Sequence, residues 1–424
     1  MVEDTLYDVG NDAHYKELIA SVSEKESITT TDDIYTSTGQ KLVSKDTQIN
    51  ASITANLAKH KLQLPIDDYV QIDNPVTTRT IISDTDKLIA RSSTLQLFFN
   101  ELSSAESIEK LLRPHQFPNS IAFKLSIAKS EREDIYFHSL LIMCLTYFIA
   151  SKAKLGKKTI RDTLLASLFH DLGLLHLAPE HFHPGRKLTG QERQYLTVHA
   201  IISHLIIEPY PEYQGNISTA VLDHHERMDG SGYPNGKNGD EICAAGQILA
   251  IAEVVASQFN HDYECVEIDQ LELLLNMNRK KLNRDFYKHF NILFSIASEL
   301  SSTLEITEAD IKEKLDILAS ILKTWLSFNN YEETSPLTSF IASYIEMLYE
   351  NCLEAGIDFD NLDFLIRMSQ QDALIKRDLL VIIKESTWQL HNLVEELKRR
   401  NKYQMAVNNK ELSKWLILVE EFIA

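Results

Sequence analysis

Fifteen histidines are spread over 424 residues, and the middle of the chain holds a series of them at regular intervals. His138 comes first, His170 follows with Asp171 beside it, then His199, then the doublet His224 and His225, then Glu253 inside the apolar stretch Ile248–Phe259. Each group stands 25 to 32 residues from the next. That is one helix plus its connection, so successive helices of a bundle can each aim a ligand set at one centre. Neutral imidazole and carboxylate suit borderline divalent metals such as iron, manganese or zinc, and a His-Asp dipeptide lets one carboxylate bridge two ions. Two ions about 3.5–4 Å apart can hold a bridging hydroxide and clamp a phosphodiester for in-line attack. Hydrolysis of a phosphate ester is therefore the reaction expected. Asp134 precedes His138 by four residues, one helical turn, and is expected to add a carboxylate to one ion or to bind a third.

Taken singly, a histidine on an apolar helix is a satisfied core residue, and His204 is read in that way. His176, His181 and His183 lie around Pro179 and Pro184 and are expected to face solvent. Glu253 is different, because a carboxylate in an otherwise apolar helix needs a metal or a charge partner.

Residues 224–234, HHERMDGSGYP, place Arg227 and Asp229 ahead of Gly230, Ser231, Gly232, Tyr233 and Pro234. Glycine permits positive φ and close backbone approach, and proline fixes the exit. The stretch is expected to be a rigid lip that presents Tyr233 and backbone amides to a phosphate or a base. Cys144 sits in the apolar run Leu140–Ile149 and is read as a core residue. No GxSxG elbow, P-loop or GxGxxG is present, so serine-hydrolase, NTPase and dinucleotide-dehydrogenase chemistry lack their cradle. The basic run from Lys398 to Lys402 is read as a solvated helix end.

Positioning these residues calls for helices. From about residue 86 apolar side chains recur at three and four, and the segments Leu271–Leu282, Ile311–Trp325, Leu337–Glu350 and Leu379–Leu397 are amphipathic. Ahead of them, short strands around Asp32–Tyr35, Lys41–Val43, Gln63–Pro65 and Tyr69–Ile72 enclose a helix near residues 49–61. Residues 1–30 read as a polar arm or a single helix. The fold class expected is mainly α, with a small α+β module over residues 31–90, a linker helix over 91–119 and a helical region over 297–424.

Length implies two or three domains. Lys plus Arg number 42 against 61 Asp plus Glu, a net charge of −19, which argues against a DNA coat or an anionic-membrane binder. The four cysteines, Cys144, Cys243, Cys265 and Cys352, form no CxxC pair, and no secretory signal is seen. A reducing cytoplasm is the expected location.

The succession His138, FHDLG at 169–173, KLTGQER at 187–193, His199, HHERMDGSGYP at 224–234 and QILAIAEVVA at 247–256 resembles the HD-GYP family of HD-type metal phosphohydrolases. The likeness extends over residues 120–296. It implies a helical domain holding two or three divalent ions, iron or manganese, that hydrolyses cyclic di-GMP or a related cyclic dinucleotide to linear pGpG or GMP. By position it implies His138, His170, Asp171, His199, His224 and His225 as ligands, with Asp171 bridging, Asp134 where members with a third metal carry Glu, and Glu253 in the last metal place. Tyr233 and the loop Gly230–Pro234 would line the substrate pocket, with Arg227, Arg186 or Lys187 supplying positive charge. The chain departs from the family at three positions: Leu174 where a phosphate-binding Lys is usual, Gln247 for Arg, and Glu253 for Asp. The alternative expectation is a catalytically weak receptor or interaction module that keeps its metals as structure. Protein partners would engage the N- and C-terminal domains, and a dimer is compatible with the sequence.

Overall fold

The computed structural model describes residues 13–102, 105–177, 190–260, 280–290, 308–328, 336–354, 357–399 and 403–423, with isolated positions between 263 and 278. The chain divides into two units, residues 1–266 with 278–290, and residues 267–277 with 291–424. It is mainly helical, as expected.

In the first unit a helix α1 (Ala13–Ser23) precedes strands β1 (Ile28–Thr30), β2 (Ile34–Tyr35) and β3 (Lys41–Val43), helix α2 (Ala51–Leu57) and strand β4 (Val70–Ile72). β1 pairs antiparallel with β4, Ile28 opposite Ile72, and β2 pairs with β3. Within the segment read as a polar arm, Tyr15, Ile19, Val22 and Ile28 are all buried. α1 and β1 are thus built into the small module rather than preceding it. Asn50 caps α2 by accepting from the Ile53 amide, which sets where that helix starts.

Helix α3 (Thr78–Arg91) falls in the stretch assigned to the small module, and two helices, α4 (Ser93–Asn100) and α5 (Ile108–Leu112), lie where one linker helix is expected over residues 91–119. Serine hydroxyls start two of them, Ser92 capping α4 and Ser107 capping α5. Then come α6 (Asn119–Glu131), α7 (Glu133–Lys152), α8 (Lys157–Phe169), a 3-10 turn (Leu172–His176), α9 (Gly190–Ile207), α10 (Asn216–Asp223) and α11 (Ala244–Ala256). α7 is apolar on every side and long enough, by length and composition, to cross a membrane. Here that apolarity serves burial: α7 packs against α3, α4, α6, α8 and α11, and Cys144 lies in its buried stretch.

The second unit holds helices Glu308–Phe328, Pro336–Glu354, Leu362–Gln371, Ala373–Arg399, Tyr403–Asn408 and Lys410–Ile423. They contain three of the four expected amphipathic segments, whereas only isolated residues of Leu271–Leu282 are described. Their core centres on Trp325 and Trp415, whose rings stand 5.0 Å apart, and the Trp415 indole donates to the Ile321 carbonyl. Lys398 is exposed near the end of its helix; residues 400–402 lie outside the described residues.

α10 and α11 meet at Gly246, where a Cβ would lie 2.7 Å from that of Asp223. Gly246→Ala is expected to overpack this contact and cost about 1–3 kcal/mol, read as a lowered melting temperature; an unchanged melting curve would contradict the contact.

Candidate metal centre

Four helix ends and one helix interior deliver the histidine series to one place. α7 carries His138 near its start, α8 ends into His170 and Asp171, α9 carries His199, α10 ends into His224 and His225, and α11 carries Glu253. These helices come together because small residues let their backbones touch. A Cβ on Gly173 would lie 2.2 Å from the His199 carbonyl oxygen, and the Gly173 amide donates to Ser203 Oγ at 2.8 Å. Only glycine fits there, so the turn after Asp171 lies directly on α9.

The ligand-type atoms fall into two trios, His138, His170 and Glu253 in one, and His199, His224 and His225 in the other, each with its atoms within 4.8 Å of one another. In the first, Glu253 Oε1 lies 3.2 Å from His138 Nε2 and 2.9 Å from His170 Nε2. The extra methylene of Glu253 therefore does not keep its carboxylate from closing the trio. In the second, His199 Nε2 lies 3.2 Å from both His224 Nε2 and His225 Nε2. Asp171 stands between them. Its Oδ2 is 3.3 Å from His170 Nε2 and 3.8 Å from His138 Nε2, and its Oδ1 is 3.3 Å from His199 Nε2 and 4.0 Å from His224 Nε2.

Hydrogen bonding fixes which nitrogens face inward. His170 Nδ1 is 2.8 Å from the Ser167 carbonyl and His224 Nδ1 is 2.6 Å from the Val221 carbonyl. A carbonyl only accepts, so each Nδ1 carries the proton and a neutral ring presents its Nε2 lone pair. His170 Nε2 is fully buried, and although the Glu253 carboxylate is near, no hydrogen bond of acceptable geometry reaches it. His199 Nε2 meets two imidazole nitrogens and a carboxylate oxygen at once. A buried set of lone pairs converging on so few protons fits divalent cations, and the N/O donor chemistry suits the borderline metals.

The electrostatics differ between the trios. Burial opposes charge on His138 and His170, yet Glu253 beside the first, and Asp171 with Glu253 beside the second, raise both, His170 well above the usual imidazole value. Burial and the neighbouring histidines push His224 far down and His225 down to about 3. Against burial, which would raise them, His170 holds Asp171 far below the ordinary carboxylate range and His138 does the same for Glu253.

Asp134 is not brought to the cluster. Its side chain is 66% exposed, and Arg132 takes both carboxylate oxygens at 2.9 Å. His176, expected to face solvent, is buried at 1% exposure. His204 is satisfied, its Nδ1 3.0 Å from the Ser218 carbonyl. Arg186 and Lys187, with His181 and His183, lie outside the described residues.

The lip is rigid for identifiable reasons. A Cβ on Gly232 would come within 2.4–2.5 Å of backbone atoms of His225, Glu226 and Arg227, and Gly230 has φ +77°. The Tyr233 ring lies 4.6 Å from that of His225, and the Tyr233 amide donates to the His225 carbonyl. Arg227 Nη1 donates to the Glu226 carbonyl, and Asp229 Oδ1 accepts from both the amide and the hydroxyl of Ser231. Two acids that the sequence reading gave no role hold this loop. Buried Glu226 accepts from the amides of Asn235 and Lys237, and buried Asp223 accepts from Lys237 Nζ and the Cys243 amide. Gln247 donates to the Gly239 and Ile242 carbonyls and accepts from Asn283. The only signal for these residues was an acid beside a Gly- and Pro-rich loop whose amides need acceptors.

Two trios of metal-type ligand groups with one carboxylate between them, set on packed helices, make up a helical domain with a candidate metal centre. Residues 82–259 match the HD domain family, so the chain carries an HD domain, and the resemblance to HD-GYP proteins is borne out at the level of that domain. The match begins within α3, earlier than the residue 120 expected. The 3'3'-cGAMP-specific phosphodiesterase 1 of Vibrio cholerae is 27% identical over 155 residues, 37% of this chain and 36% of that protein. A cyclic di-GMP phosphodiesterase of Pseudomonas aeruginosa is 27% identical over 137 residues, 32% of this chain and 33% of that protein. A probable cyclic di-GMP phosphodiesterase of Vibrio cholerae is 26% identical over 180 residues, 39% of this chain and 41% of that protein. The matched stretches span between a third and two fifths of these relatives.

The carboxylates beside His170 raise its pKa against burial, so a proton competes with an incoming cation for its Nε2 lone pair. Manganese uptake is thus expected to release protons and to weaken as pH falls, checked by calorimetry in buffers of different ionisation enthalpy; uptake without proton release would contradict it. Asp134→Asn is expected to leave the number of bound ions, counted by elemental analysis, unchanged.

Proposed function

We propose that this chain is a divalent-metal-dependent phosphodiesterase that opens a cyclic dinucleotide, cyclic di-GMP or 3'3'-cGAMP, to a linear product. The observation that carries the reading is the placement of the two Asp171 oxygens, one toward each trio. His138, His170 and Glu253 would hold one ion, His199, His224 and His225 the other, with Asp171 shared; iron or manganese suits these donors. Two such ions supply Lewis acidity at a phosphodiester and lower the pKa of water enough to make a nucleophile at neutral pH.

The chain's own residues do the rest. Asp171 and Glu253, held ionised by the histidines around them, offset the cationic charge. The Ser167 and Val221 carbonyls keep His170 and His224 in the ring orientation that presents Nε2. Tyr233, backed by His225, and the loop Gly230–Pro234 would form the wall against which a base or phosphate rests, with Arg227 and Asp229 at its margins. The free thiols of Cys144, Cys243 and Cys352 suit a reducing cytoplasm.

One observation favours a second reading. Leu174, half-buried in the turn after Asp171, offers no side-chain donor where a phosphate-binding lysine would stand. A site so weakened could bind a cyclic dinucleotide as a receptor with little turnover.

Protein loaded with manganese or iron is expected to convert cyclic di-GMP or 3'3'-cGAMP to linear product, read by chromatography, and Asp171→Asn to reduce the rate at least a hundredfold. No product from either nucleotide with either metal would end the enzymatic reading. Leu174→Lys is expected to lower KM by roughly tenfold or more, the value of one charge-assisted phosphate contact. Measurable nucleotide binding with no gain from Leu174→Lys would favour the receptor.

A further inference from the structure

The 3-10 turn that begins beside Asp171 ends on a histidine that belongs to neither trio. The His176 ring lies 4.4 Å from the ring of Tyr15 on α1, and its Nε2 is 3.4 Å from Lys124 Nζ on α6. Lys124, 4% exposed, forms an ion pair with Asp67, which is 2% exposed and sits in the turn Ile66–Asp68 of the small N-terminal module. The same ammonium stands 4.2 Å over the Tyr15 ring, and the Tyr15 hydroxyl donates to the other Asp67 oxygen at 2.6 Å. Four buried side chains from four elements thus converge at the far end of the turn that starts next to the bridging carboxylate.

Apolar residues could fill such a space without loss of stability, because desolvating two charges offsets most of what their attraction returns. A buried ion pair does supply a single geometry. The turn is therefore fixed near its start by the close approach of Gly173 to α9, and at its end by His176.

We propose that the N-terminal module is a positioning element of the metal centre: Asp67 and Lys124, acting through His176, hold the turn Leu172–His176 where Asp171 reaches both trios. This rests on the two-ion reading above. Asp67, Lys124 and His176 are positioning residues, and none of them is a ligand.

The test uses the full chain titrated with manganese, with calorimetry for the two binding steps and electron paramagnetic resonance for the coupled ion pair. The double variant Lys124→Met/Asp67→Leu removes both charges together and is expected to keep a melting temperature close to that of the wild type. It should bind the first ion normally and the second about 10–100-fold more weakly, the scale of losing a residue that orients a ligand, with the coupled signal reduced. His176→Gln keeps a polar neighbour for Lys124 and is expected to retain second-ion binding, whereas His176→Leu is expected to lose it. This pair carries the test if the double variant does not fold. Wild-type affinity for the second ion in the double variant, or equal affinities in the two His176 variants, would overturn the proposal while leaving the two-ion reading intact. A wild-type chain that takes up fewer than two ions would overturn both.

Discussion

The first unit depends on one buried carboxylate placed among imidazoles. Asp171 has His138 and His170 on one side and His199 and His224 on the other, and each of its oxygens faces a different group. Such an assembly is costly to bury. Its lone pairs converge with too few protons to share, and the acids hold charge that nothing apolar could balance. Divalent cations would resolve both problems at once. Apart from His199, the candidate ligands sit at or near helix ends, where the backbone turns and can aim two adjacent side chains, as in His170 with Asp171 and His224 with His225.

The helices supply that aim through contacts that carry no chemistry. Gly173 and Gly246 are points where α9 and α11 come within reach of their neighbours, and a methyl group at either would separate them. α7 provides the wall behind the site and, His138 apart, is buried through its apolar side chains. Asp223 and Glu226 act in the opposite sense: they are buried acids that accept from the amides of Asn235, Lys237 and Cys243 and so hold the loop. The helical unit after residue 290 builds its own core around Trp325 and Trp415.

The sequence revealed those features whose cause is local. Ligand groups one helix and one connection apart were legible because that spacing is set by helix length, and the lip was legible because only glycine tolerates the approaches it makes. Features set by distant partners were not. Asp134 is one turn from His138, as its spacing says, but it stands at the exposed start of α7, where Arg132 captures it. His176 was read as a solvent-facing loop residue from its neighbouring prolines, yet α1 and α6, far away in the chain, bury it. β1 lay hidden in an apparently polar arm because its partner, β4, is some forty residues away. Gln247 and Glu253 depart from the residues that the resemblance implies. In the structure Gln247 has partners for its amide, and Glu253 reaches both histidines of its trio.

The most direct measurement is an anomalous difference map from a crystal grown with manganese, recorded at a wavelength where that metal scatters strongly. Two peaks are predicted, one within His138, His170 and Glu253 and one within His199, His224 and His225, with the Asp171 carboxylate between them. A map with no peak at these side chains, or with one ion bound away from Asp171, would contradict the account.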